Sequence, residues 1–177
     1  MMLAKKFYEN FISYPNNSDL SDYSDNSIWT DQTKVWIKRS LQKINRAIKF
    51  SHEYYRIDTI GWIQRKKELN TGNSNLASHL WDLIAAVEHE NNPKEWLDEV
   101  CKLAYIRCPL RVVIGYGIES FDEKIAVVKD ILAKTGAFTD DVQEFLIILG
   151  KNQKEFVQGG DNFIHIIITK KDIDNEK

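Results

Sequence analysis

Apolar residues recur along this chain at two different periods, and the switches between them mark its elements. Residues 1–10 read as a short helix, followed over about 14–31 by a polar stretch rich in Ser, Asn and Asp with loop character, packing peripherally through Ile28 and Trp29. Ile37, Leu41, Ile44 and Ile48 fall in a narrow arc at helical spacing and predict a helix over about 33–50. Residues 52–64 are aromatic and β-branched enough for one long strand. Residues 65–78, with Thr71-Gly72-Asn73-Ser74-Asn75, supply the turn of a hairpin into a second strand over about 80–89. Asn92-Pro93 reads as N-cap and first-turn proline of a helix through about 107, whose buried stripe is Trp96, Val100, Leu103 and Ala104.

Pro109 blocks that helix, and residues 110–115 read as a short buried strand. Ser120-x-x-Glu123 is a capping box for a helix to about Lys134, with Gly136 at its C-terminal stop. Residues 145–149 and 163–169 read as two final strands linked around Gly159-Gly160. This order predicts an α/β (α+β) fold in which helices flank a mixed sheet. At 177 residues the chain makes one domain: a peripheral segment over 1–32, a core over 33–116, and a helix and strands over 117–177 that complete the sheet.

No apolar run approaches bilayer-spanning length, and the first six residues lead into polar sequence, so no membrane association and a cytoplasmic location are expected. Cys101 and Cys108 form no Cys-x-x-Cys pair and read as small core residues. Net charge is only −2, but residues 34–67 carry ten basic residues against two acidic ones. Such asymmetry attracts anions where the charges converge. On the predicted first long helix, Lys38, Arg39, Lys43 and Arg46 lie opposite the apolar stripe, which suits either a phosphate backbone or a solvated face.

The candidate chemistry lies at the end of the second strand. Strand alternation puts Glu88 and Glu90 on one face with Asp82, and His89 on the other. A carboxylate pair at a strand end is resolved by a cation, a basic partner or exposure to water. Upstream, Asp58 sits in the run Arg56-Ile57-Asp58-Thr59-Ile60-Gly61, and downstream Glu99 and Lys102 lie one turn apart on a helix, the spacing of an ordinary ion pair.

A strand carrying an acid, a hairpin to a strand ending in Glu88-His89-Glu90, a helix with Glu99 and Lys102, then the strand at 110–115: together this resembles the core of the PD-(D/E)XK (restriction endonuclease-like) nuclease superfamily, over about residues 34–116. The resemblance implies that Asp58 and Glu88 bind Mg²⁺ or Mn²⁺ near a scissile phosphate, with Glu53 as an additional acid. Glu90 stands where the pattern has lysine. Either Glu90 acts on the attacking water or a second metal, or Lys102 supplies the cation from the following helix, or catalysis has been lost. The implied activity is metal-dependent hydrolysis of nucleic acid, DNA in preference to RNA, with Asp58, Glu88, Glu90 and Lys102 as catalytic residues. The alternative is an inactive binding or regulatory module. A homodimer or larger complex is expected if cutting is sequence-specific. Other constellations are weaker: His52, His79, His89 and His165 lack zinc spacing, His165 reads as a core histidine, the tryptophans read as core, and Gly115-Tyr116-Gly117 is too short for a dinucleotide fingerprint.

Overall fold

Two predominantly apolar runs become interior strands, because a strand covered on both faces needs apolar side chains in both directions. They are β4 (Leu110–Tyr116) and β5 (Glu144–Gly150), buried at every position in the computed structural model. The structure describes residues 2–15, 26–65, 81–119, 121–151, 155–157 and 160–175. The other strands are β1 (Lys49–Tyr54), β2 (Ile57–Gln64), β3 (Trp81–His89) and β6 (Phe163–Thr169), and all six form one open sheet in sequence order. Neighbours pair antiparallel from β1 to β3, parallel from β3 to β5, and antiparallel between β5 and β6.

Five helices are seen among the described residues: α1 (Leu3–Ile12), α2 (Asn26–Ile44), α3 (Trp96–Ala104), α4 (Phe121–Lys134) and α5 (Lys170–Asp174). Parallel neighbours require crossovers, and α3 and α4 supply those between β3, β4 and β5. One sheet face packs on α1 and α2 through Phe7, Phe11, Trp36, Ile37 and Leu41 against Val87, Val112 and Ile114. The other packs on α3 and α4 through Trp96, Val100, Leu103 and Val128 against Ala86, Val113 and Ile147. The mixed sheet flanked by helices is therefore as the sequence predicts. Glu144, buried on β5, accepts the Ala4 amide at 2.5 Å and so ties the start of α1 to the sheet.

Several boundaries differ from the pattern-based reading, each for a local reason. The helix expected over 33–50 begins at Asn26, because Trp29, Thr33, Trp36, Ile37, Ser40 and Leu41 form one buried stripe in which two members are polar. It stops early because the Asn45 side chain accepts the Ala47 amide and the Asn45 carbonyl accepts that of Ile48, closing a turn. The single strand expected over 52–64 is a hairpin of β1 and β2. Its two-residue turn, Tyr55-Arg56, has positive φ at both residues (50° and 64°), as a type I′ turn requires, but carries no Asn or Gly to announce it.

Asn92 caps a turn, accepting the Lys94 amide, and α3 itself begins four residues later at Trp96. Gly115 permits the close seating of α3 on β4, since a Cβ there would lie 2.8 Å from a Trp96 ring carbon. Gly136, at φ 58°, ends the turn after α4 as expected, with the Ala137 amide reaching the Leu132 carbonyl. His165 is not a core residue: β6 is an edge strand, and the imidazole is exposed and stacked on Tyr8. Cys108 is buried, whereas Cys101 is exposed on α3. Trp29, Trp36 and Trp96 are core; Trp62 and Trp81 are half-buried and pack on each other. The hairpin loop predicted around Thr71–Asn75, the Ser120 cap and Gly159 lie outside the described residues.

Candidate functional site

The β2–β3 register pairs Thr59 with Val87 and so sets Asp58 beside Glu88. The Asp58 amide donates to Glu88 Oε2 at 3.3 Å, and Asp58 Oδ2 accepts the His89 amide at 2.8 Å. Each carboxylate is thus held by the backbone of the other's strand. Glu88 is buried, 1% exposed, while Asp58 is half-buried beside it. Lys102 reaches them from α3: its Nζ lies 3.0 Å from Glu88 Oε1 and 2.5 Å from Glu99 Oε2, and donates to the Arg56 carbonyl at 3.2 Å.

Two acids, Glu88 and Glu99, therefore share one ammonium, with Asp58 beside Glu88. Burial, then the charge of Asp58, pushes the Glu88 carboxyl up to about 8. Burial also raises Asp58; the His89 amide opposes this and the nearby charge of Glu53 adds to it. Burial works against the Lys102 ammonium, but hydrogen bonds and charge from Glu99 and Glu88 outweigh it and its pKa is raised. At neutral pH the isolated pair consequently keeps a proton, and a divalent cation would neutralise the same excess charge.

The remaining sequence-predicted residues make other contacts. The Glu90 carboxylate accepts the Asn92 amide at 2.6 Å, closing the turn after β3. Glu53, on β1, is exposed, sits at φ 52° and pairs with Lys34 at 3.3 Å. Lys38, Arg39, Lys43 and Arg46 belong to α2 or its exit and so lie across the sheet from Glu88. Lys38 rests over the Phe50 ring, and Arg39 and Lys43 over that of Tyr14. The structure therefore unites Asp58, Glu88 and Lys102 and separates them from the basic face.

His89 points to the opposite face, as alternation predicts, where Nε2 meets the Tyr116 hydroxyl at 2.9 Å; burial, then the charge of Lys34, lowers its pKa to about 3. Half-buried there, it is held in the neutral form. Two contributors escaped the pattern reading: the backbone amide of His89 and the carbonyl of Arg56. Only the strained Tyr55-Arg56 turn brings that carbonyl under Lys102, and backbone strain of this kind collects at functional sites.

Among the described residues, no three His, Cys, Asp or Glu side chains form a metal-binding group. No protein-family model, curated protein or solved structure matches the chain. Among the same residues, no helix is long and apolar enough to cross a membrane.

Proposed function

We propose that this chain is a Mg²⁺- or Mn²⁺-dependent phosphodiesterase acting on nucleic acid, built on the restriction endonuclease-like plan. The observation that carries the reading is the Asp58–Glu88 pair on neighbouring strands, faced by Lys102 from the crossover helix. The order α2-β1-β2-β3-α3-β4, with β3 and β4 parallel, follows the order of elements in the resemblance.

The residues suit a hard cation. Mg²⁺ used in phosphate chemistry takes one or two protein carboxylates and completes its shell with water and substrate oxygens, so two carboxylates suffice. When bound, it would polarise a phosphate oxygen and acidify a water. The chain's own part is positioning. The His89 amide orients Asp58, the Asp58 amide and Lys102 orient Glu88, and Lys102 brings the positive charge that Glu90 cannot supply. Glu90 gives one carboxylate oxygen to the Asn92 amide and so helps close the turn after β3.

A second reading, a binding module without catalysis, is favoured by one observation. Lys102 Nζ already lies 3.0 Å from Glu88 Oε1 and 2.5 Å from Glu99 Oε2 and donates to the Arg56 carbonyl, so its charge is engaged within the fold. The two readings part on turnover. Wild-type protein incubated with single- and double-stranded DNA and RNA in Mg²⁺ or Mn²⁺ should cleave at least one substrate, DNA first, and Asp58→Ala should abolish it. Folded wild-type protein that cleaves none of them supports the binding module.

A further inference from the structure

We infer that the far side of the sheet carries a second, non-catalytic nucleic-acid site, a cleft lined by Tyr14, Arg39, Gln42, Lys43 and Arg46 that anchors the backbone of one strand. The choice of ligand rests on the nucleic-acid reading of the carboxylate site, whereas the cleft itself does not depend on catalysis.

The cleft encloses about 490 Å³. Positions 39, 42, 43 and 46 fall on one stripe of α2 and the turn after it, opposite the buried Ile37 and Leu41, so all four point away from the core. The aromatic ring fixes two of the cations: Lys43 Nζ is 4.9 Å and the Arg39 guanidinium 5.8 Å from the centre of Tyr14. Among the described residues, no carboxylate lies within ion-pairing distance of Arg39, Lys43 or Arg46, although other exposed lysines do pair with acids. Three cations with no acidic partner among the described residues, on a chain of net charge −2, are a local feature, not an overall excess of base.

Their arrangement selects the ligand. A small phosphorylated molecule is best held by convergent amides at a helix N-terminus. Here the cations are strung along the C-terminal half of α2, where the helix dipole offers an anion nothing and the side chains must do all the work. The stripe from 39 to 46 covers ~10 Å at helical rise. Phosphates of one strand follow at ~3.4 Å along the axis in a duplex and at up to about twice that in an extended single strand, so this length meets two or three of them. A line of charge fits a polymer backbone, and it carries no base-reading geometry.

The test is fluorescence anisotropy with a labelled single-stranded DNA oligonucleotide and the full chain in EDTA, where no cleavage occurs, over a series of salt concentrations. Arg39→Gln/Lys43→Gln/Arg46→Gln should lose at least about tenfold in affinity, with a log–log salt slope shallower by about 2. Lys5→Gln/Lys94→Gln/Lys134→Gln, an equal loss of exposed charge elsewhere, should change affinity less than about twofold. Thermal melting of each variant checks the fold. Equal losses in the two triple variants, an unchanged salt slope in the first, or tighter binding of heparin than of DNA would overturn the inference. Failure of cleavage with this binding intact would strike the catalytic reading alone.

Discussion

Asp58→Asn should make the metal-free protein more stable, and increasingly so as pH rises. The substitution removes one charge from the carboxylate pair yet keeps an oxygen to accept the His89 amide. Glu88 moves from its ordinary 4.5 to about 8 on folding. The sign follows from which state holds the proton. Between those values folded Glu88 is protonated and unfolded Glu88 is not, so the folded state binds more protons and stability falls as pH rises through the window. Complete ionisation inside the fold costs at most ~5 kcal/mol, most of it from burial. The charge of Asp58 is the next contribution, and its removal should return ~1–2 kcal/mol at pH 8.5. For a domain of this length that corresponds to a Tm gain of about 3–6 °C. Thermal melts of wild type and variant in EDTA from pH 5 to 9 measure it: the wild-type Tm should decline across the range, and the variant should decline less. A variant that melts below wild type at pH 8.5, or declines as steeply, would refute the coupling between the two carboxylates.

Lys102→Met should reduce metal-dependent cleavage by about 10²–10³-fold, the scale of a lost electrostatic donor, whereas Glu90→Gln should stay within about threefold because an amide oxygen still accepts the Asn92 N–H; steady-state kinetics separate the two. Tyr55→Asn with Arg56→Gly, the residues a type I′ turn prefers, should raise stability by ~1–2 kcal/mol in denaturant titration, since two non-glycine residues leave left-handed backbone. Gly115→Ala should lower stability by ~1–3 kcal/mol, because the new methyl collides with Trp96, and pairing it with Trp96→Leu should recover part of the loss.

The apolar pattern made the interior of the sheet legible. β3, β4, β5 and the stripe of α3 were readable because doubly covered strands and amphipathic helices leave plain periods. Legibility failed where the backbone was decided by something other than hydrophobicity. The β1–β2 turn is built from Tyr55 and Arg56, which carry none of the residue preferences of a positive-φ turn, so a hairpin looked like one strand. The start of α2 hid behind Thr33 and Ser40, polar residues buried in its stripe; Ser40 is satisfied by the Trp36 carbonyl. At the candidate site, strand alternation correctly put Glu88 and His89 on opposite faces, and element order brought Asp58 and Lys102 to Glu88. Alternation could not show that β3 ends at His89, after which Glu90 is free to turn to the Asn92 amide. The basic residues were visible as a stripe, but which side of the sheet α2 covers is a property of the packed chain.

Binding of Mn²⁺, followed by electron paramagnetic resonance of the free ion, tests most directly whether Asp58 and Glu88 form a cation site. Wild-type protein should take up Mn²⁺ more tightly at pH 8.5 than at pH 6, since the proton on the pair competes with the metal, and Asp58→Asn and Glu88→Gln should each lose most of the affinity while remaining folded. Wild-type protein that leaves Mn²⁺ free at both pH values, or that binds it as well after both substitutions, would contradict the account.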